Sequence, residues 1–288
     1  MSQQYVVFFD IDNCLYSAST AISHLMMKKI RQYFVDLGFP EEEAERLHSQ
    51  YYRQYGLAIR GLVKFHNIDP MDFNEKCDAS LPLETLLKPD PSIRQLLLDI
   101  DRSKVRVWGA TNAYITHAER VLTILGLRDL FEGIVSCDYA NPEFTCKPEP
   151  EYYAMAMSRA SLDPTSPEDR AKCLFVDDSL SNVRAARILQ WGSSVWFRER
   201  LTPAQRAHLV SGDEVSLTDE EIQAKIEKQL RAQSGAYAEQ LKRSLETDDG
   251  KDTEGVDAVI HSMHQLRDVW PFIFKSSPST TVEESTTS

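Results

Sequence analysis

Hydrophobic positions along this chain follow two alternating patterns that predict different elements. Short apolar runs rich in β-branched and aromatic residues predict buried strands, and the first such run covers residues 5–9. Stretches with apolar residues three or four positions apart predict helices, and several of them follow one another between residues 17 and 88. After Lys88-Pro89-Asp90-Pro91, predicted helices and strands alternate to about residue 200.

Strands that alternate with helices are typical of an α/β fold with a parallel sheet. We predict a Rossmann-like core that is interrupted after its first strand by an all-helical segment. A stretch rich in i,i+4 charge pairs and poor in apolar residues predicts an acidic helical insertion, and a final stretch of mostly Ser and Thr predicts a disordered tail. The predicted units are a core of residues 1–16, 89–200 and 256–275, a helical segment of 17–88, an insertion of 201–255 and a tail of 276–288.

Charge and composition limit the kinds of molecule that we expect this protein to bind. Lys and Arg number 32 against 44 Asp and Glu, a net charge of −12, which argues against a nucleic-acid partner because a phosphate backbone needs a basic face. No apolar run approaches the length of a membrane span, so we expect no membrane partner. The five cysteines include no CxxC pair, which favours reduced thiols in a cytoplasmic protein, with the nucleus as a second compartment. The oligomeric state is left open.

Polar side chains cluster where predicted strands end, which is where ligands bind in sheets of this kind. They are Asp10, Asp12, Thr111, Asn112, Lys147, Asp177 and Asp178, with Lys147 at a helix start. Several carboxylates in one crevice cannot all ionise without a cation, and Mg²⁺ is the natural one because it prefers oxygen ligands. Thr and Lys side chains can bind phosphate oxygens, one carboxylate can attack phosphorus, and another can transfer protons. Each residue alone also fits a structural role, such as helix N-capping by the Asp177-Asp178 pair.

Four of these segments carry a family resemblance. FFDIDNCLY, the hydroxyl residue after VRVWGA, KPEP and FVDDS, in this order, resemble the four motifs of the haloacid dehalogenase-like hydrolases. Longer segments, FFDIDNCLYSAST, YYRQYGLAIRGL and TNAYITHAERVLTILGL, resemble the fungal pyrimidine 5′-nucleotidase and phosphate-metabolism phosphatase group. The resemblance covers about residues 5–200 and implies that residues 17–88 are a helical cap, whereas residues 201–255 have no counterpart in that group.

The resemblance also implies roles for single residues. Asp10 would be the nucleophile and a Mg²⁺ ligand, and Asp12 the general acid/base, binding the metal through its backbone carbonyl. Phosphate would be bound by Thr111, Asn112 and Lys147. Asp178 would complete the metal site as a direct ligand. Asp177 would act on the metal indirectly, from outside the direct ligands or through water, and which of the two residues has which role is left open. Cys14 departs from the commoner Thr or Val, and the presence of Asp12 favours a phosphatase over a dehalogenase.

Arg60 and Tyr55 of the cap, with Tyr51 beside them, are candidates for binding the leaving group; the alternative is ordinary helix-surface packing. The function that the resemblance implies is Mg²⁺-dependent hydrolysis of nucleoside 5′-monophosphates, pyrimidine ones first, through an aspartyl phosphate, so the partner would be a small phosphorylated metabolite. Three alternatives stay open: a phosphatase for lysophosphatidate or a sugar phosphate, a phosphomutase, and a non-catalytic interaction protein.

Overall fold

The computed structural model describes residues 4–203 except 142, residue 205, and residues 255–275. Its centre is a six-stranded, entirely parallel sheet with the strand order β3-β2-β1-β4-β5-β6. The strands are β1 (Tyr5–Phe9), β2 (Val105–Ala110), β3 (Gly133–Val135), β4 (Cys173–Asp177), β5 (Ser193–Phe197) and β6 (Ala258–Ile260). The predicted α/β fold with a parallel sheet and an inserted helical segment is therefore confirmed.

Strand β1 lies between β2 and β4, so both of its edges are paired, and a hydrophobic cluster covers each of its faces. Val6, Val7, Phe8 and Phe9 have no solvent exposure, as the unbroken apolar run predicts for a central parallel strand. Because successive side chains point to opposite faces, Val7 and Phe9 join one hydrophobic cluster, while Val6 and Phe8 join the other.

Residues 17–88, the cap segment, are helical in the structure. They contain a short 3₁₀ helix (Ala18–Thr20) and the helices α1 (Ile22–Asp36), α2 (Glu41–Tyr55), α3 (Ala58–His66), α4 (Pro70–Lys76) and α5 (Leu83–Leu86). Helix α2 begins after Pro40 with three glutamates in its first turn, where negative charge is favourable, and ends at Gly56 in the left-handed conformation. Cap residues such as Phe34 and Leu62 pack in the same hydrophobic cluster as Phe8, whereas Ile22 and Leu83, near the two ends of the segment, pack in the cluster of Phe9.

The remaining helices flank the sheet. They are α6 (Pro91–Leu98), α7 (Ile115–Ile124), α8 (Pro150–Arg159), α9 (Pro167–Arg170), α10 (Leu180–Ile188) and α11 (Leu266–Val269), with 3₁₀ helices at Arg128–Leu130, Met263–Gln265 and Pro271–Ile273. None of the helices within the described ranges is long and apolar enough to cross a membrane.

The chain after residue 254 returns to the core, as its apolar residues predict, and supplies the sixth strand, which pairs in parallel with β5. Trp270 and Ile273 are buried in the same cluster as Phe9. Most of the predicted acidic insertion and all of the predicted tail lie outside the described residues. The proposed division of the chain into these units stays a prediction.

Candidate active site

The candidate site lies at the carboxyl ends of three neighbouring strands. Asp10 follows β1, Thr111 follows β2, and Asp177 is the last residue of β4. The backbone N–H of Asp10 donates to the carbonyl oxygen of Val176 at 2.9 Å, which fixes Asp10 beside the end of β4. Strand order reverses between β1 and β4, and such a reversal point leaves a crevice for ligands.

The ammonium group of Lys147 connects all three of these strand ends. It donates to Oδ1 of Asp10 at 2.8 Å, to Oδ2 of Asp177 at 2.6 Å and to the carbonyl oxygen of Ala110 at 2.7 Å. An ammonium group has three donors, so all of them bind protein oxygens. Burial disfavours the charged form, but the carboxylates of Asp10 and Asp177 outweigh it and raise the pKa of Lys147 well above its ordinary value.

Asp177 is completely buried and binds protein groups through both carboxylate oxygens. Oδ1 accepts hydrogen bonds from the backbone N–H of Ser179 at 2.8 Å and from Nδ2 of Asn182 at 3.0 Å, while Oδ2 accepts from Lys147. These bonds make Asp177 a support for Lys147. Its assignment as a metal ligand stays a prediction.

The fold also brings the carboxylate of Asp178 close to that of Asp10. Carboxylate oxygens of Asp10 and Asp178 and the Sγ atom of Cys14 all lie within 4.8 Å of one another. Burial and the charge of Asp177 raise the pKa of Asp178 to about 7, and burial with the charges of Asp177 and Asp178 raises that of Asp10 well above its usual range, against the effect of Lys147.

This donor set fits a hard divalent cation. Two crowded carboxylates whose pKa values are raised gain a favourable partner when a cation binds between them, and Mg²⁺ takes oxygen ligands. Burial and the same carboxylates raise the pKa of the Cys14 thiol well above its ordinary value, so Cys14 contributes a neutral neighbour to the site. Asn13, in the left-handed conformation, donates from Nδ2 to Oδ2 of Asp178 at 3.2 Å and orients this carboxylate.

The carboxylate of Asp12 turns toward a different set of partners. Its Oδ1 accepts a hydrogen bond from the hydroxyl of Tyr16 at 2.7 Å and lies 2.9 Å from Nε2 of His117. Burial acts to raise the pKa of Asp12, but the charge and hydrogen bond of His117, with the bond from Tyr16, outweigh it and lower the pKa. The side chain of Asp12 is thus held separately from the Asp10–Asp178 pair.

Thr111 and Asn112 organise the loop after β2. The Thr111 side chain is buried, and its Oγ1 accepts a hydrogen bond from the backbone N–H of Ala113 at 3.0 Å, which leaves the hydroxyl proton available for a ligand. Asn112 bonds both backbone groups of Lys147: Nδ2 donates to its carbonyl oxygen at 2.9 Å, and Oδ1 accepts from its N–H at 2.7 Å. Asn112 therefore positions Lys147, and phosphate binding by these residues remains a prediction.

Arg60 of the cap binds the loop that carries Lys147. Its Nη2 lies 2.6 Å from Oε1 of Glu149, and its guanidinium stacks over the Phe144 ring at 5.2 Å from the centroid. Oε2 of Glu149 in turn accepts from Oγ1 of Thr145 at 3.0 Å and from the N–H of Cys146 at 3.1 Å. Arg60 therefore links cap and core, and a contact with the leaving group stays a prediction.

The three tyrosines of α2 differ in position. Tyr51 is buried with its hydroxyl 2.7 Å from Nε2 of His66, and the Tyr55 ring contacts Tyr51 and Phe65. Tyr52, which the sequence did not single out, is 41% exposed. Burial and the nearby charges of Asp178, Asp177 and Asp10 raise its pKa to about 12, which indicates that its hydroxyl lies near these carboxylates.

Several residues of this site were missed by sequence reasoning. His117 and Tyr16 bind Asp12, Asn13 binds Asp178, and Glu149 binds Arg60. Asn13 and Tyr16 lie within the first motif, FFDIDNCLY, and could have been suspected from that position. His117 lies 105 residues from Asp12 in the chain, and no spacing rule predicts their contact.

A model of a known protein family matches the part of the chain that forms this site. The family model described as haloacid dehalogenase-like hydrolase matches residues 6–190, which include the three strand ends that form the candidate site. The chain belongs to the haloacid dehalogenase-like hydrolases. This confirms the resemblance drawn from the four sequence motifs.

Two curated relatives of this haloacid dehalogenase-like hydrolase are named for phosphate chemistry. Phosphate metabolism protein 8 of Saccharomyces cerevisiae is 42% identical over 196 residues, covering 65% of this chain and 60% of the yeast protein. Glyceraldehyde 3-phosphate phosphatase of Methanothermobacter thermautotrophicus is 24% identical over 246 residues, covering 76% of this chain and 97% of that protein. The match to the yeast protein thus spans less than two thirds of its length.

Solved structures of the family share the fold. A haloacid dehalogenase-like protein of Bacteroides fragilis has a TM-score of 0.51 and 14% identity, over 92% of this chain and all of that one. At this level of identity the likeness concerns the fold alone.

Proposed function

We propose that this chain is a Mg²⁺-dependent phosphomonoesterase that hydrolyses nucleoside 5′-monophosphates, pyrimidine ones first, through an aspartyl phosphate on Asp10. The observation that carries the proposal is the Asp10 carboxylate, which is bonded to Lys147 on one side and adjoins Asp178 on the other. A nucleophile held between an ammonium group and a cation-binding carboxylate suits attack on a phosphate, whose negative charge both sides offset.

In the first step, a carboxylate oxygen of Asp10 forms a bond to phosphorus while the bond from phosphorus to the ester oxygen breaks. The departing oxygen takes a proton from the carboxyl group of Asp12, and the alcohol leaves. Lys147 and the Thr111 hydroxyl stabilise charge on the phosphoryl oxygens, and Asn112 and Asp177 hold Lys147 in place.

In the second step, water attacks the phosphorus of the aspartyl phosphate and loses its proton to Asp12. Inorganic phosphate leaves and the Asp10 carboxylate is restored, so Asp12 returns to its protonated state and the cycle closes. The ion would be held by Asp10, Asp178 and the backbone carbonyl of Asp12. When bound, Mg²⁺ supplies positive charge that favours ionised Asp10 and offsets the charge of the phosphate.

The substrate class is supported by the cap and by the relatives' names. Tyr52 of the cap lies near the catalytic carboxylates and is partly exposed, and an aromatic ring in this place can stack against a nucleobase. The resemblance to the fungal nucleotidase group supports nucleotides, whereas the archaeal relative supports a triose phosphate as the second candidate.

A phosphate-release assay tests the proposal. The purified chain is incubated with uridine, cytidine and adenosine 5′-monophosphates, glyceraldehyde 3-phosphate, a lysophosphatidate and p-nitrophenyl phosphate, with Mg²⁺ or with EDTA. We expect Mg²⁺-dependent release with the highest kcat/KM for a pyrimidine nucleotide. A preference for the triose phosphate or the lipid would overturn the nucleotide assignment, and release in EDTA would overturn the metal requirement.

A further inference from the structure

Two donors from different parts of the chain converge on one oxygen of Asp12. The Tyr16 hydroxyl and Nε2 of His117 lie 2.7 and 2.9 Å from Oδ1. Oδ2, the second oxygen of this carboxylate, has no bond to any residue within the described ranges. The carboxylate is therefore fixed through one oxygen, and the other is free to exchange a proton with a ligand.

His117 is itself held firmly. It lies in the first turn of α7, its side chain is 3% exposed, and its backbone N–H donates to the carbonyl oxygen of Tyr114 at 3.1 Å. Because a carboxylate oxygen accepts the bond, Nε2 carries the proton. The other ring nitrogen, Nδ1, is buried and has no partner among the described residues.

A second carboxylate lies near the imidazole ring of His117. Asp78, on the chain that returns from the cap after α4, is 3% exposed, and its Oδ2 is buried with no partner in the described part of the chain. Its charge acts on His117 together with that of Asp12. Arg120 anchors this returning chain to α7, because its guanidinium donates to the carbonyl oxygens of Ala79 at 3.2 Å and Leu81 at 2.8 Å.

We propose that His117 and Tyr16 are positioning residues that clamp Oδ1 of Asp12, so that Oδ2 delivers the proton to the leaving oxygen of the substrate. The inference rests on the proposed phosphatase function and adds to it a role for Tyr16, the last residue of the first motif, and for His117, which lies outside the four motifs. Asp78, on the chain that returns from the cap, places a further charge near the imidazole of His117. The clamp therefore joins the returning cap chain, α7 and the first motif at the proton-transferring group.

The basicity of the leaving group gives this role a specific signature. A nucleoside 5′-oxygen leaves as a strongly basic alkoxide and needs the proton from Asp12, whereas p-nitrophenolate is weakly basic and leaves without it. The ratio kcat/KM reports the steps up to the first irreversible one, the transfer of phosphate to Asp10. Loss of the clamp should therefore lower kcat/KM for the nucleotide and spare kcat/KM for p-nitrophenyl phosphate.

The experiment uses the full chain with Mg²⁺ and four variants. His117→Ala and Tyr16→Phe each remove one donor, and His117→Gln keeps a donor near the position of Nε2. Tyr33→Phe is the matched control, because Tyr33 is also buried and its hydroxyl bonds a carboxylate at 2.9 Å, that of Asp72 rather than Asp12. For each variant, kcat/KM is measured with the preferred nucleotide and with p-nitrophenyl phosphate.

We expect His117→Ala to lower kcat/KM for the nucleotide by about 100-fold and Tyr16→Phe by about 10-fold, with less than about a threefold change for p-nitrophenyl phosphate. His117→Gln should recover most of the loss, and Tyr33→Phe should match wild type. Equal losses on both substrates, or no loss on either, would overturn the clamp while leaving the phosphatase proposal intact. A wild-type chain inactive on both substrates would instead overturn the proposed function. Tyr16→Phe retains the ring, so it decides the matter even where His117→Ala fails to fold.

Discussion

The ammonium nitrogen of Lys147 lies 2.8 Å from Oδ1 of Asp10, although 137 residues separate them in the chain and both side chains are buried. Asp177 accepts a second bond from the same ammonium group. One cation thus compensates two buried carboxylates, so Lys147 serves both the fold and the chemistry.

Lys147→Met should destabilise the protein and abolish phosphate release. The substitution leaves Asp10 and Asp177 buried without their counter-charge, and breaking a buried ion pair in this way costs about 3–5 kcal/mol. Lys104→Met is the control, because Lys104 pairs with Asp101 at the surface and should contribute less than about 1 kcal/mol. Urea unfolding measures both changes, and equal effects would contradict the role given to Lys147.

Gly56→Ala should disturb the site through the backbone. Gly56 ends α2 with a φ of +75°, and a Cβ atom there would lie 2.5 Å from the carbonyl oxygen of Lys147. Gly126 has a similar φ of +65° with no atom within 4 Å of the added Cβ, so Gly126→Ala isolates the conformational strain. We expect Gly126→Ala to lose about 1–2 kcal/mol of stability and Gly56→Ala to lose more because of the added contact, and Gly56→Ala alone to lower kcat for p-nitrophenyl phosphate. Equal kcat values for the two variants would show that the contact with Lys147 has no catalytic role.

Arg60→Ala tests whether Arg60 links cap and core or binds the leaving group. Because Arg60 binds Glu149, which holds the loop of Lys147, we expect kcat/KM to fall about 10-fold for the nucleotide and for p-nitrophenyl phosphate alike. Glu149→Gln should reproduce this pattern. A loss confined to the nucleotide would instead support the substrate-binding role that the sequence suggests for Arg60.

Asp78 should make stability depend on pH in a defined direction. Burial raises its pKa to about 6, against the effect of His117, whereas in the unfolded chain it stays near 3.8. Between these values the folded protein binds more protons than the unfolded chain, so this group's contribution to stability falls as pH rises toward 6 and is constant above it. At 1.36 kcal/mol per unit, the change is about 3 kcal/mol.

Asp78→Asn should remove that contribution. Unfolding free energies of wild type and variant, measured between about pH 4 and pH 7, should differ by an amount that grows in the variant's favour as pH rises. A difference that stays constant across this range, or changes in the opposite direction, would contradict the raised pKa of Asp78.

The sequence predicts most of the sheet because β1 and β4 are continuous apolar runs, which parallel strands with two covered faces require. It also places Asp10 and Asp178 at one edge of the sheet, since the carboxyl ends of parallel strands meet there. The bond between His117 and Asp12 could not be predicted, because it depends on the rotation of α7 against the first motif. The orientation of α2 likewise decides that Tyr52 faces the site while Tyr51 and Tyr55 pack within the cap.

Trapping the covalent intermediate tests the central claim, phosphorylation of Asp10, most directly. Wild type and Asp10→Asn are mixed with the preferred nucleotide and Mg²⁺, quenched, treated with borohydride, which reduces an aspartyl phosphate to homoserine, and digested for mass spectrometry. The account predicts homoserine at position 10 in wild type only, and a loss of turnover of at least about 1,000-fold in Asp10→Asn. Homoserine at another aspartate, or turnover near the wild-type rate in Asp10→Asn, would contradict it.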